Sequence, residues 1–243
     1  MKSKSLLSDI SAVTRATTLT EQCYLQIQQK LLSGGFAPGQ KITIRPLAAA
    51  LAVSFTPARE ALSRLASEGA LLAGLNRSYY VPILGIKQTS EIYRLRFILE
   101  GLLAEAAIAH ASTADLAYLE KVQGELVAAM DRADYRGVLE HNSTFHFRIY
   151  RLADMPVTFR IVEVLWVQIG PSLNMLYPEF DRTRTGVRNH DAALRAMRNR
   201  DPRALRRAIE ADVQAGFDSL SAVLDGMRAP PQDATRASQY SPN

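Results

Sequence analysis

The spacing of apolar residues predicts a chain that is helical over most of its length. Near the N-terminus, apolar side chains recur every three or four residues, which places them on one face of a helix over residues 17–34. Gly34-Gly35 ends this pattern, and Pro38-Gly39 turns the chain. The apolar positions of this first predicted helix are Leu19, Cys23, Ile27, Leu31 and Leu32.

Two short amphipathic patterns joined by a turn follow in residues 44–69. Thr56 is suited to the N-cap position and Pro57 to the first position of the helix. Val53 is an apolar residue that is expected to fill the turn between the two helices. This arrangement predicts a helix-turn-helix, although an αα-hairpin in an ordinary helical protein has the same pattern. The core-facing positions are Leu47, Ala48 and Leu51, then Ala61, Leu62 and Leu65; the small residues expected at the helix crossing are Ala48, Ala49, Ala50 and Ala52.

A β-hairpin is predicted directly after the second of these helices. Residues 70–84 form two short apolar runs around a turn at Asn76-Arg77-Ser78, and Pro82 suits an edge strand. A hairpin in this position is the wing of a winged helix, which favours the DNA-binding interpretation over the αα-hairpin.

The rest of the chain has helical periodicity only, in six segments with short breaks between them. Thr113 and Asp201 are expected as N-caps, and Pro156 and Pro202 as first-turn prolines. Short connections predict an antiparallel bundle. The predicted helices span residues 88–110, 113–132, 135–153, 155–176, 183–200 and 202–226, with one of the breaks at Tyr177-Pro178.

The predicted fold is therefore mainly α, with an N-terminal winged helix-turn-helix and a C-terminal all-α six-helix antiparallel bundle. The expected division of the chain is a flexible arm over 1–16, a DNA-binding domain over 17–84, a linker over 85–87, an effector-binding and dimerisation domain over 88–228, and a disordered tail over 229–243.

Charge is divided unevenly between these two parts. Residues 1–85 hold nine Lys and Arg against four Asp and Glu, a net +5, whereas residues 86–243 hold twenty of each. A positive N-terminal part is expected if this part meets phosphates. The single cysteine, Cys23, excludes an internal disulfide, and no apolar run reaches the length of a membrane span. We therefore expect a cytoplasmic, nucleoid-associated protein.

Two segments resemble known domains. The helix-turn-helix carries TPAREALSRLASEGAL, which resembles the winged-helix domain of the GntR transcription regulators. The second half contains EIYRLRFILEGLLAEAAI and NHDAALRAMRNRDPRALRRAIEADVQAGF, which resemble the FCD effector domain of the FadR branch of that family. The bundle has no extra leading helix, so the chain looks closer to the VanR-like group.

The resemblance to GntR regulators implies DNA-contacting residues. Arg45, Thr56, Arg59 and Arg77 match positions that touch DNA in the family. Phe55 stands where the family usually has an arginine that reads guanine, and it can contact a thymine methyl group instead. A sixth candidate, Arg64, comes from its position on the recognition helix.

The resemblance to FCD domains implies a divalent metal inside the bundle. The family's one carboxylate and three histidines correspond here to Asn142, His146, His190 and Asp212. Two positions depart from the family, because Asn142 replaces the carboxylate and Asp212 replaces a histidine. This donor set suits Zn²⁺, Mn²⁺, Ni²⁺ or Fe²⁺. The alternatives are a metal-free pocket that binds the effector directly, and histidines with structural roles only.

Arg96 is a candidate for effector binding, because related domains often place an arginine facing the pocket from this helix. Its guanidinium fits a carboxylate in a bidentate manner. The alternative is an ion pair with Glu100, one helical turn away.

Together these features predict a ligand-responsive bacterial transcription regulator. A homodimer, with repression the first expectation and activation left open, would bind double-stranded operator DNA and sense a small organic acid. The alternatives are a metal-dependent hydrolase fused to a DNA-binding domain and a purely architectural DNA binder. No GxSxG, Gly-rich phosphate loop or HExxH motif supports an enzyme.

Overall fold

The computed structural model describes residues 18–75, 77–176 and 184–228. The predicted arm, Asn76 of the predicted wing turn, the break at Tyr177-Pro178 and the predicted tail lie outside the described residues.

The first helix, α1, spans Leu19–Leu32. Thr18 caps it, because its side-chain oxygen accepts a hydrogen bond of 3.1 Å from the Glu21 N–H. Its buried face contains four of the five predicted positions, but Leu19 is 57% exposed and Tyr24 is buried instead. The prediction for Leu19 is wrong because at a period of 3.6 residues this position lies at the edge of the face that Cys23, Ile27 and Leu31 define.

The helix-turn-helix consists of α2, Ile44–Ala50, and α3, Phe55–Ser67. The N-cap of α3 is Ser54 and not Thr56, so Pro57 is its third residue. The helix can begin earlier than predicted because none of its first-turn N–H groups has an intrahelical partner, and a proline is tolerated there. Of the four alanines predicted at the helix crossing, only Ala48 is buried.

The wing is a three-stranded antiparallel sheet in the order β1-β3-β2. The hairpin of β2, Leu72–Ala73, and β3, Ser78–Tyr80, confirms the predicted wing, except that Ser78 belongs to the strand and Pro82 lies beyond it. The strand that was not predicted, β1, spans Lys41–Thr43 and is too short to give a periodic signal.

Six α-helices follow in the described residues, which confirms the predicted helical bundle. The first of them starts at Ile86, so most of the predicted linker is helical, and Ser112 caps the second in place of Thr113. Asp201 caps the last helix, because its Oδ1 accepts from the Ala204 N–H at 2.9 Å. The helices are α4 Ile86–Ala107, α5 Thr113–Asp131, α6 Tyr135–Arg151, α7 Pro156–Leu173, α8 Thr185–Arg198 and α9 Pro202–Arg228, with a 3₁₀ turn over Asn174–Leu176.

One helix of the bundle, α7, packs directly against the winged helix. The Gln168 Nε2 donates to the backbone oxygen of Glu68, the C-cap of α3, at 2.8 Å. Gly170 faces the backbone of Leu31 so closely that a Cβ atom there would lie 2.6 Å from its oxygen. A single buried apolar core therefore extends from the winged helix into the bundle.

No helix among the described residues is long and apolar enough to cross a membrane.

Candidate metal centre and nucleic-acid interface

Three side chains from three different helices converge inside the bundle. His146 lies on α6, His190 on α8 and Asp212 on α9. The His146 Nε2 lies 3.1 Å from an Asp212 carboxylate oxygen and 3.1 Å from the His190 Nε2. One ligand atom from each residue lies within 4.8 Å of the other two, and both histidines are buried.

Hydrogen bonds on the far side of each imidazole determine which ring nitrogen carries the proton. The His190 Nδ1 lies 2.9 Å from Gln123 Oε1, and the Gln123 Nε2 donates to Val187 and Asp191. The oxygen of Gln123 therefore accepts a hydrogen bond from the Nδ1–H of His190. Burial lowers the pKa of His190 to about 3, so its ring is neutral and its Nε2 has a free lone pair.

A similar bond orients the second ring. The His146 Nδ1 lies 2.9 Å from the hydroxyl of Tyr150, which itself donates to Glu100 at 2.5 Å. Because the tyrosine proton is used by Glu100, His146 donates from Nδ1 and directs its Nε2 toward His190. In this arrangement the two Nε2 atoms and an Asp212 carboxylate oxygen converge, as the ligand atoms of a metal do.

These donors fit a divalent transition metal. In a tetrahedral site with metal–nitrogen bonds of about 2.0–2.1 Å, neighbouring ligand atoms lie about 3.3 Å apart. The two separations of 3.1 Å are close to that value. Two nitrogen lone pairs this close repel each other unless a cation or a proton lies between them, so the geometry favours an occupant with positive charge.

Two members of the triad, His190 and Asp212, line a cavity whose volume is about 70 Å³. Asn142, the fourth residue that the sequence singled out, also lines this cavity, one turn before His146, but its amide has no hydrogen-bond partner among the described residues. The apolar residues of the lining are Leu126, Met130, Val138, Leu139, Trp166, Leu173, Leu176, Val187 and Val213.

Arg96 lines the cavity too, but it already has an acidic partner. Its Nε donates to Glu100 at 2.5 Å, and both side chains are buried. Glu100 raises the pKa of Arg96 although burial alone would lower it, so the arginine stays charged. Of the two roles considered for Arg96, the ion pair is therefore present, and no anionic ligand is needed to neutralise it.

Glu100 was not predicted as a functional residue, yet it connects the polar groups of the pocket. It accepts hydrogen bonds from Arg96, Tyr150 and Trp166, the last at 2.8 Å. Gln123 and Tyr150 were also missed. A spacing of four residues was the sequence signal for two of these bonds, Arg96–Glu100 and His146–Tyr150, whereas Gln123 is 67 residues from His190.

At the other end of the molecule, four of the predicted DNA-contacting residues surround one depression on the winged helix. Arg45, at the start of α2, lies together with Phe55 and Arg59 of α3 and with Arg77 beside the wing strands. All four are exposed, and Phe55 is 57% exposed. Thr56 is exposed next to Phe55.

Arg64 lies apart from this depression. Its guanidinium bonds Glu21 at 2.7 Å and Glu68 at 3.1 Å, and it stacks 3.7 Å from the centre of the Tyr24 ring. These partners hold the side chain against α1 of its own chain. We therefore leave Arg64 out of the interface proposed below.

Comparison with protein families agrees with both halves of this structure. The model described as "Bacterial regulatory proteins, gntR family" matches residues 19–81, and the FCD domain model matches residues 91–215. These ranges contain the winged helix and the donor triad, respectively.

Comparison with individual proteins gives the same result over most of the chain. The HTH-type transcriptional regulator McbR of Escherichia coli (strain K12) is 31% identical over 205 residues, which cover 84% of this chain and 93% of McbR.

Solved structures extend this agreement to the fold. The structure of E. coli McbR/YncC has a TM-score of 0.79 at 29% identity and covers 88% of this chain and 100% of its own. A GntR transcriptional regulator from Rhodococcus sp. RHA1 has the same fold, with a TM-score of 0.67 at 17% identity, covering 85% of this chain and 97% of its own. The chain therefore belongs to the GntR family of bacterial regulatory proteins, carries an FCD domain, and is a transcription regulator and not an enzyme.

Proposed function

We propose that this protein is a homodimeric repressor that binds operator DNA through Arg45, Phe55, Thr56, Arg59 and Arg77, and that senses a small organic acid at a metal centre in its bundle. The observation that carries this proposal is the convergence of His146, His190 and Asp212, with the His146 Nε2 3.1 Å from a donor atom of each of the other two, inside a protein that also has a winged helix.

The proposed DNA contacts follow from the exposed surface around the start of α3. In helix-turn-helix proteins the recognition helix enters the major groove with its N-terminal residues at the base edges. Arg59 is long enough to reach guanine, while Phe55 offers an apolar surface to a thymine methyl group. Arg45 and Arg77 flank this position and are suited to the phosphates on either side.

The proposed metal would be held by His146, His190 and Asp212, with Asn142 beside them. A bound divalent ion would supply positive charge and open coordination positions for a carboxylate oxygen. The protein's part is to orient both imidazoles with their Nε2 atoms converging, through hydrogen bonds to Tyr150 and Gln123.

A homodimer fits this function because an operator with two related half-sites matches a protein with two-fold symmetry. The acid can change operator affinity only by as much as it prefers one arrangement of the two winged helices. The contacts of α7 with Glu68 and with Leu31 couple the bundle directly to the winged helix, so a shift of α7 would move the winged helix.

The test separates metal binding from DNA binding. His190→Ala should reduce the metal content of protein purified without chelator from about one equivalent to less than about a tenth, because the lone pair of Nε2 is lost. Operator affinity, measured by fluorescence anisotropy on a site selected in vitro, should remain within about threefold, because the winged helix has contacts of its own to DNA.

His141→Ala is the matched control, because His141 lies on the same helix as His146 but contacts Glu125 outside the triad. It should change neither quantity. A wild-type protein without bound transition metal, and without a thermal shift on adding Zn²⁺, Mn²⁺ or Ni²⁺, would exclude the metal centre and favour direct binding of the acid by the two histidines.

A further inference from the structure

We propose that the effector is a short, apolar monocarboxylate, and not a hydroxylated or polycarboxylic acid. This inference rests on the proposed function, because it concerns the ligand of the same cavity. It follows from three properties of the described lining: its apolar walls, the small number of polar groups that remain free, and its volume.

Most of the cavity wall is apolar. It contains Leu126 and Met130 from α5, Val138 and Leu139 from α6, and Val187 from α8, and all but Val187 are buried, whereas α4 contributes Tyr93 and Arg96. Four buried residues here, Leu126, Ala129, Met130 and Val138, form a core cluster of their own, with Val187 packed against it. Ligand atoms beyond the head group would therefore contact methyl and methylene groups.

The polar groups of the described lining are almost all used within the protein. Arg96 is bonded to Glu100, and Arg184 is paired with Asp131. The Nδ1 of His190 is bonded to Gln123. The remaining polar groups of the described lining are the hydroxyl of Tyr93, the Nε2 of His190, the carboxylate of Asp212 and the amide of Asn142, which suit one carboxylate head group at the proposed metal.

This inventory disfavours acids with further polar groups. A ligand hydroxyl buried against the apolar walls without a partner is disfavoured, because it loses its hydrogen bonds to water. A second carboxylate would be worse, because both arginines of the lining are already neutralised and an unpaired buried charge is costly. An alkyl chain, by contrast, gains from burial against the same walls.

The volume limits the length of that chain. A cavity of about 70 Å³ has room for roughly five or six water-sized groups, since one such group needs about 10–15 Å³ on this measure. The carboxylate accounts for about half of them, so butyrate matches the space and valerate, one carbon longer, is at its limit.

The experiment compares two short apolar acids with two larger polar ones on metal-loaded full-length protein by isothermal titration calorimetry. Butyrate and valerate should bind at least tenfold more tightly than malate and gluconate at the same pH and ionic strength. Val138→Thr keeps the shape of the wall but adds a hydroxyl, so it should weaken butyrate binding by about threefold or more and leave malate binding unchanged or stronger. Val157→Thr, at a position 76% exposed on α7, is the control and should change neither acid's affinity.

The outcomes distinguish the inference from the function on which it rests. Tighter binding of malate or gluconate would overturn the ligand class and leave organic-acid sensing intact. No binding of any of the four acids, in protein whose metal content has been measured, would overturn the sensing function together with this inference.

Discussion

At the scale of single residues, the pocket shows how hydrogen bonds between distant side chains prepare a metal-binding group. Imidazole can carry its proton on either nitrogen, and only one choice leaves the Nε2 lone pair free. The oxygen of Gln123 makes this choice for His190, and the Tyr150–Glu100 pair makes it for His146. The residues behind the ligands are therefore as important to the site as the ligands themselves.

This argument predicts that Gln123→Leu weakens metal binding although no ligand is changed. Without the oxygen that accepts from His190 Nδ1, the ring can turn or change its tautomer, and we expect a loss of about tenfold to a hundredfold in Zn²⁺ affinity. Competition with a chromophoric chelator measures the change. Gln214→Leu, on the exposed side of α9, is the control. Unchanged affinity in Gln123→Leu would show that the ring is oriented by packing alone, for instance by its stacking on Phe145.

A second comparison at this scale concerns two arginines of the recognition helix. Arg59 is exposed at the proposed DNA surface, whereas Arg64 is held by Glu21 and Glu68. Arg59→Ala should cost about 1–3 kcal/mol of operator binding at fixed salt. Arg64→Ala should cost much less, because its charge is already paired within the chain. The assignment fails if the two variants weaken operator binding equally.

At the scale of elements, α7 connects the two halves of the molecule. It contributes Trp166 to the pocket, where its indole N–H donates to Glu100, and Gln168 to the C-cap of the recognition helix. Its close approach to α1 requires Gly170, because any Cβ atom would meet the backbone of Leu31. A ligand in the pocket and the winged helix therefore contact the same helix, so a change at one can be transmitted through α7 to the other.

Two glycines in helices should respond in opposite ways to alanine. Gly170→Ala should destabilise the protein by about 1–3 kcal/mol, because the new methyl group pushes α7 away from α1. Gly124→Ala, in the exposed part of α5 with nothing within 4 Å of the added atom, should stabilise it by about 0.5–1 kcal/mol. Urea unfolding measures both values. Stabilisation of both variants would contradict the close packing of α7 on α1.

At the scale of the whole molecule, the charge is divided according to the two proposed tasks. The net +5 of residues 1–85 contrasts with the neutrality of residues 86–243, where twenty basic residues balance twenty acidic ones. A long-range positive potential around the winged helix attracts DNA phosphates, whereas the buried metal centre gains little from it.

The two binding reactions should therefore differ in their dependence on salt. Raising KCl from 50 to 200 mM should weaken operator binding by at least about tenfold. The reason is that the release of counterions from the phosphates is less favourable at a higher salt concentration. Binding of Zn²⁺ should change by less than about threefold, because buried groups are screened much less than exposed ones. Anisotropy and calorimetry in the same buffers test this, and operator binding that is insensitive to salt would contradict the phosphate contacts proposed for Arg45 and Arg77.

The sequence by itself determined the elements and the family. Helices such as α5 and α6 depend on apolar spacing, caps and prolines within a few residues of each other, and this information is local. The winged helix and the FCD domain were predicted from motifs of the same local kind, and the family comparisons confirm both. Local patterns were less reliable at helix ends, where Ser54 and Ser112 replaced the expected caps because neighbouring residues can serve equally well.

Only the tertiary structure determined which hydrogen-bond and ion-pair partners the polar side chains have. His146 meets Asp212 across 66 residues, and Arg64 meets Glu21 across 43. Arg96 forms the ion pair with Glu100 and also lines the cavity, so its contact with an effector stays a prediction. These partners depend on how whole helices pack. A buried polar group needs a hydrogen-bond partner, and the packing of the helices determines which side chains are close enough to provide one.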